Sequence, residues 1–443
     1  SSIGSQDNSD CCFAVLRFDH KESNRSCWMK LDRFDIELDN SENAYFAGQE
    51  ISGKIIIDAP EPKRVNEILL ELRGRCRTAW TKHSGKSRKH CNNSEPYFLE
   101  QLNTAYTHRF AEDETQDRIL PTGHHEIPFS YTLPKTLPSS FEGDHGFIRY
   151  TCRAICERPW DFDIVSRIAF TVVGIEDINS DPILSEPATV AESNQTVATR
   201  CWKASGSVQA ELSLAKTGYT PGETIAAHAK VQNSSTKSRK VALKLTQHAT
   251  YRAKTFAGHE QTKTTKKTII RKEMGEATAH SSFQSPTEHL RIPSLPPRLG
   301  RCKSIQVQYT VDLEVEATVT TSVPIVLGSI PFLSELLTHS KQSATRNGMH
   351  KISMAEDSVV QVTITDEDGQ THTDDAMSNE LDALLSARKR VRMPSSILSE
   401  LYPTMPSPYY RESFFGKIDI SDEKESVQFG DSQFAPKYPF YTD

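Results

Sequence analysis

The tightest constraint on this chain is that it writes one pattern twice. Tyr45-Phe-Ala-Gly48-Gln49-Glu-Ile51, followed by Ile55-Ile-Ile57, returns as Tyr219-Thr-Pro-Gly222-Glu223-Thr-Ile225, followed by Ala229-Lys-Val231. Each copy is a glycine turn that feeds a strand. Glycine accepts the left-handed backbone of a tight turn, and the residues after it alternate between apolar and polar. Solenoid repeats recur every 20–50 residues or so. The spacing here is far longer, so the repeated unit is a whole β domain. Other landmarks return in the same order. Leu133-Pro134 and Leu137-Pro138 precede Ile148-Arg-Tyr150-Thr151, and Ile292-Pro293 and Leu295-Pro296 precede Gln308-Tyr309-Thr310. Gly174, after Phe170-Thr-Val-Val173, matches Gly328, after Pro324-Ile-Val-Leu327.

Period-2 runs predict the first domain's strands: Phe34–Leu38, Ile51–Ile57, Val65–Leu72, Arg75–Trp80, Ile127–Leu133, Phe147–Cys156 and Ile168–Val173. The second domain repeats the plan with Val208–Leu214, Ile225–Val231, Val241–Thr250, Lys266–Met274, Ile305–Val315 and Thr318–Val326. Short strands separated by turn residues, with no long segment of helical period, read as antiparallel sandwiches. The expected division is a disordered segment over 1–30, one β domain over 31–178, a hinge over 179–198 and a second β domain over 199–332. A mostly disordered tail over 333–443 follows. Within it, a helix is expected near 378–392, with Ser378 as cap and Leu381, Leu384 and Leu385 on one face.

Several classes are disfavoured by composition. The 443 residues carry a net charge of −6, which gives no global case for nucleic acid. The longest apolar stretch, Val323–Leu333, contains Pro324 and Pro331 and is too short to span a bilayer. No secretory leader pattern opens the chain. The nine cysteines form no C-x-x-C pair and have no histidine at partner spacing, so the spacing predicts free thiols and no zinc site. Glycine-rich phosphate loops and nucleophile elbows are absent from the sequence. No catalytic residue and no cofactor is expected. His124-His125-Glu126 tempts as a metal cluster, but strand neighbours point to opposite faces, leaving only His124 and Glu126 on one side.

The run Leu120-Pro-Thr-Gly123-His-His125-Glu-Ile127-Pro128-Phe129-Ser-Tyr131-Thr-Leu133-Pro134 resembles the arrestin N-domain signature L-P-x-G-x-H-x-Φ-P-F-x-Φ-x-L-P. Leu137-Pro138-Ser-Ser-Phe141-Glu142-Gly143, Gly146-Phe-Ile148-Arg149-Tyr150 and Pro159-Trp160 continue it. Gly218-Tyr219, Pro221-Gly222-Glu223, Leu299-Gly300, Tyr309 and Pro324-Ile-Val-Leu327-Gly328 resemble the arrestin C-domain. The resemblance covers roughly residues 31–330 and is nearer to the α-arrestins, whose habit is a long tail with Tyr/Pro motifs. It implies two tandem arrestin-like, immunoglobulin-like β-sandwiches and a non-enzymatic cytoplasmic adaptor. Such an adaptor binds membrane receptors or transporters, couples them to endocytosis, ubiquitination and endosomal sorting, and visits the plasma membrane and endosomes. A soluble signalling scaffold with the same fold is the alternative.

In such a body, basic strands could meet phosphorylated cargo tails or anionic lipids through charge-assisted bonds. The candidates are Arg73, Arg75, Arg77, Lys82 and Lys86 in the first domain, and Lys263, Lys266 and Lys267 at the corresponding place in the second. In the tail, Glu380 with Leu384 and Leu385 matches an acidic dileucine signal, and Tyr402 with Met405 matches Y-x-x-Φ; both forms are read by clathrin adaptors. The P-P-x-Y motif that docks the WW domains of ubiquitin ligases is missing. Pro406-Ser407-Pro408-Tyr409 is a near miss, which leaves recruitment of such ligases in doubt.

Overall fold

A computed structural model describes residues 31–84, 87–110, 118–159, 161–197, 204–334, 400–403, 405–421 and 427–441. The first domain is a sandwich. Strands Arg33–Leu38, Glu50–Ala59 and Gly123–Thr132 form one sheet. They face Ser87–Asn103, Ile68–Ser84, Gly146–Cys156, Ile164–Val173 and Ala44–Phe46, in that order. Alternation builds the core: Ile51, Ile55 and Ile57 face Leu70, Leu72, Ile148, Tyr150, Phe170 and Val172, all buried. In the second domain, Ala188–Val197, Ala204–Leu214 and Thr224–Asn233 face Glu260–Ala277, Arg239–Thr255, Ile305–Val315, Val319–Leu327 and Gly218–Tyr219.

The duplicated pattern does the same job twice. Tyr45 runs parallel to Val172, and Tyr219 runs parallel to Leu327, so each tyrosine closes the edge of its domain's second sheet. Gly48 and Gly222 take φ of 86° and 94°, the region glycine enters without steric cost. Gln49 Oε1 accepts the Phe46 N–H at 2.9 Å, and Glu223 Oε1 accepts the Thr220 N–H at 3.0 Å. Either side chain supplies the carbonyl-type oxygen that the turn requires. The Leu-Pro landmarks also have one function: Tyr150 donates to Pro138 O at 2.7 Å, and Tyr309 donates to Pro296 O at 2.9 Å.

The two domains share a sheet. Ile305–Val315 stops pairing with Arg239–Thr255 at Tyr251, and just beyond it Lys254 and Thr255 pair with Asn92 and Cys91 of the first domain. Thr78 donates to Arg252 O at 2.7 Å, and Asn93 donates to Ser304 Oγ at 2.8 Å. Behind this joint, the Glu176 carboxylate accepts from Arg298 Nε at 3.0 Å and Gly300 N at 3.2 Å. Ser329 Oγ donates to Gly174 O at 2.6 Å and accepts from Glu176 N at 2.8 Å.

One expectation needs correction, and a second gains detail. The segment 179–198 is not a bare linker: it carries the 3-10 turns Ile178–Ser180 and Pro182–Ser185 and then the strand Ala188–Val197. That strand pairs with Ala204–Leu214 and so opens the second domain. Its polar sequence reflects an edge position, where one side of the ladder meets water. Parts of the tail are also structured. Tyr409–Glu412 pairs with Lys437–Phe440, and Phe429–Gly430 adds in parallel to Ile164–Val173. The expected helix near 378–392, residues 1–30 and Trp160 lie outside the described residues.

Candidate functional site

Period 2 divides the basic residues of the long strand Ile68–Ser84 between two faces. Towards the end of the strand, even positions turn to the second domain. Thr78 bonds there, and Lys82 Nζ donates to Gln261 Oε1 at 2.8 Å. Odd positions Arg73, Arg75 and Arg77 point away from the core, and each is engaged in contacts. Arg75 lies over the Phe147 ring at 5.9 Å, and Arg149 lies over the same ring at 4.0 Å. The sequence strip is thus two surfaces.

The strand Glu260–Ala277 divides its lysines in the same way. Lys263 and Lys267 share a face with Gln261, the residue that Lys82 reaches. Lys267 Nζ meets Asp144 Oδ1 across the joint at 2.6 Å. His145 packs beside Tyr251 at 5.5 Å and its pKa is lowered, first by burial and then by Lys263. Lys266 points to the other side, 3.8 Å from the buried Asp312. Lys82, Lys263 and Lys267 therefore lie along one face at the joint, Lys266 stands on the other, and Lys86 lies outside the described residues.

The arginine face has a feature that sequence reasoning missed. Strand Ile164–Val173 is buried at all ten positions, whereas a strand with one wet face would be buried at about half. Its outward residues Val165, Arg167, Ala169, Thr171 and Val173 are covered by the chain's own tail. Arg167 donates to Ile420 O at 3.1 Å, and Ala169 packs with Ile420 and Phe434. Thr171 Oγ1 accepts the Lys437 N–H at 3.0 Å, and Tyr438 donates to Ser140 O at 3.0 Å. By register, Arg167 neighbours Arg153, and Ala169 neighbours Thr151, which pairs with Arg73. The tail and the arginines thus occupy one face. The Asp419 carboxyl is pulled below its usual range, mainly by Ser421, with Arg167 and Arg149 adding to the effect.

The tail also grips the second domain. Arg411 O accepts from Ser294 Oγ at 2.8 Å, Phe415 lies 5.1 Å from Lys267, and Tyr441 donates to Ser329 O at 2.7 Å. A Cβ on Gly222 would lie 2.5 Å from Phe440, so this turn glycine is also a seat for the tail. Tyr402 and Met405 pack with Phe46, Val173 and Ile330, and Tyr402 donates to Asp177 Oδ2 at 2.7 Å. The Y-x-x-Φ side chains are therefore docked. Pro406 is exposed, Pro408 is half-buried and Tyr409 is exposed, and Tyr409 opens a paired strand. Glu380, Leu384 and Leu385 lie outside the described residues. The available signal was the run Ile-Val-Ser-Arg-Ile-Ala-Phe-Thr-Val-Val at 164–173, whose apolar residues fall on both faces.

The histidine cluster is structural. His124 bonds Asp58 at 2.6 Å and Glu126 at 3.3 Å on the wet face, while His125 turns inward between Tyr106 OH and Pro121 O.

Comparison with known proteins agrees with this architecture. Residues 34–179 match the family "Arrestin (or S-antigen), N-terminal domain", and residues 204–332 match "Arrestin (or S-antigen), C-terminal domain". The chain is 62% identical over 428 residues to Arrestin domain-containing protein 17 of Caenorhabditis elegans, covering 94% of this chain and 100% of that protein. It is 28% identical over 303 residues to mouse Arrestin domain-containing protein 4, covering 66% and 71%. It is 27% identical over 312 residues to human Arrestin domain-containing protein 1, covering 68% and 65%. With both arrestin domains matched in order and relatives that carry the arrestin-domain-containing name, this chain belongs to the arrestin family, in its α-arrestin branch.

Proposed function

We propose that this chain is a non-catalytic cytoplasmic adaptor that binds membrane-protein cargo, receptors or transporters, through a cationic surface at the domain joint. The observation that carries this reading is that Lys82, Lys263 and Lys267, from hairpins of both domains, are spread along one side of a shared sheet. A surface built from both domains senses their relative placement, so anionic cargo bound there is coupled to the shape of the body. Lysine and arginine donors suit phosphorylated cytoplasmic segments. The family supports an adaptor; endocytosis, ubiquitination, endosomal sorting and recruitment to the plasma membrane are the roles proposed for this one. A clathrin adaptor could read Tyr402 and Met405 only after they leave the Phe46 cluster, which makes tail release a precondition for that signal.

The test is co-purification of the full chain with solubilised membrane fractions, compared with a variant carrying Lys82→Glu, Lys263→Glu and Lys267→Glu. Recovery of membrane proteins by the native chain and their loss from the variant is expected. Equal recovery by both overturns the assigned surface. Recovery of soluble partners alone favours the scaffold.

A further inference from the structure

Three side chains from distant parts of the sequence meet at the joint with donor atoms that can ligate a metal. Cys76 lies on Ile68–Ser84, Glu95 lies opposite it on Ser87–Asn103, and Cys302 lies in the turn before Ile305–Val315 of the second domain. Their sulfur and carboxylate atoms all lie within 4.8 Å of one another. Cys302 Sγ is 3.9 Å from Glu95 Oε2. A tetrahedral zinc with Zn–S about 2.3 Å and Zn–O about 2.0–2.2 Å separates such donors by roughly 3.5–3.8 Å. The cluster is already close to that spacing.

The surroundings are those of a held ligand set. Ser304 Oγ donates to Glu95 Oε2 at 2.7 Å, and the Ser304 and Lys303 N–H groups donate to the same carboxylate at 3.1 and 3.2 Å. The Ile305 N–H donates to Cys302 Sγ at 3.2 Å. Outer-shell donors of this kind fix the orientation of carboxylate and thiolate ligands. All of those bonds come from neutral groups, so no cation balances the carboxylate through them. The Tyr97 hydroxyl is buried beside the cluster, next to the Cys76 and Cys302 sulfurs. The ladder slips between Gly74 and Arg75, opposite Tyr97, and such bulges re-aim side chains.

We propose that Cys76, Glu95 and Cys302 form a site for a thiophilic d10 divalent cation of the zinc class, which clips the two domains together. Two thiolates and a carboxylate match that class, and a water beside the Tyr97 hydroxyl completes four-coordination. Because the ligands come from both domains, occupancy ties their relative placement to metal supply. Sequence spacing could not show this, since the ligands are joined by folding and not by a local motif.

Cobalt(II) titration of the reduced full chain tests the site. One equivalent should produce thiolate-to-cobalt charge-transfer absorption, displaced by zinc. Cys302→Ser and Cys76→Ser should each abolish it, and Cys152→Ser should leave it intact. Absorption that is missing in the native chain, or unchanged in both serine variants, overturns the proposal. A second measurement uses only the native chain, in case a variant misfolds. Zinc should slow alkylation of Cys76 and Cys302 by N-ethylmaleimide at least tenfold, mapped by mass spectrometry. Equal rates with and without zinc overturn the proposal.

Discussion

At the residue scale, each domain is fastened by one tyrosine hydroxyl. Tyr150 and Tyr309 are buried, and burial raises both phenols well above their usual range. Replacing either by Phe removes a donor and leaves a proline carbonyl unsatisfied, at a cost of about 1–3 kcal/mol. Urea denaturation should show that loss for Tyr150→Phe and for Tyr309→Phe, with the double variant near the sum because the two hydroxyls share no hydrogen-bond partner. A double variant as stable as either single one would contradict the parallel. Gly328 is a second residue-scale test. An added Cβ would lie 2.5 Å from Ile178 Cγ2 and 2.7 Å from Glu176 O, so Gly328→Ala should destabilise by more than about 1 kcal/mol, read as a lowered Tm. Both features were legible as paired landmarks in the sequence, because the duplicated fold needs the same residue type at each copy. The partners of those residues were not legible. A hydroxyl's acceptor is set by tertiary approach, which no spacing encodes.

At the element scale, pH and the tail are the informative handles. His145 has a folded pKa below its ordinary value of 6.5, lowered first by burial and then by Lys263. Its neutral form is the one the joint accepts. Its contribution to stability is therefore present above pH 6.5 and is lost as pH falls towards the folded value. His124 has the opposite sign: raised by Asp58 and then Glu126, it adds stability below 6.5 that is lost as pH rises, but its side chain is half-exposed and solvent screens the effect. Melting temperature measured from neutral to about pH 5 should fall less in His145→Gln than in the native chain. An equal fall would remove His145 from the account. For the tail, Tyr438 and Phe440 are buried against the body. Deleting residues 405–443 should expose the arginine face and increase retention on a phosphoserine-peptide resin at low salt, with the gain shrinking as salt rises. Retention equal to that of the full chain would show that the tail does not mask this face. Most body strands were readable from period 2, but Ser87–Asn103 and Ala188–Val197 were not, and the expected Val65–Leu72 and Arg75–Trp80 run together as Ile68–Ser84. The tail's position was not, since its strands are short and Tyr409, Tyr410, Tyr438 and Phe440 find their neighbours only on the folded body.

At the scale of the whole molecule, two sandwiches become one object through a shared sheet edge, the Glu176–Ser329 bonds and a tail that touches both domains. The sequence carried the two domains and their family plainly, because many period-2 strands with paired landmarks leave few alternatives. It carried the functional surface only in part. Charge clusters are visible in sequence, but which lysines share a face depends on register, and period 2 separated Lys266 from Lys263 and Lys267. The most direct test is proximity labelling in cells, comparing the native chain with the Lys82→Glu, Lys263→Glu, Lys267→Glu variant. Labelling of a set of membrane receptors or transporters by the native chain, and its loss in a variant that keeps its native melting temperature, is the predicted result. An identical set of labelled membrane proteins for both chains would contradict it.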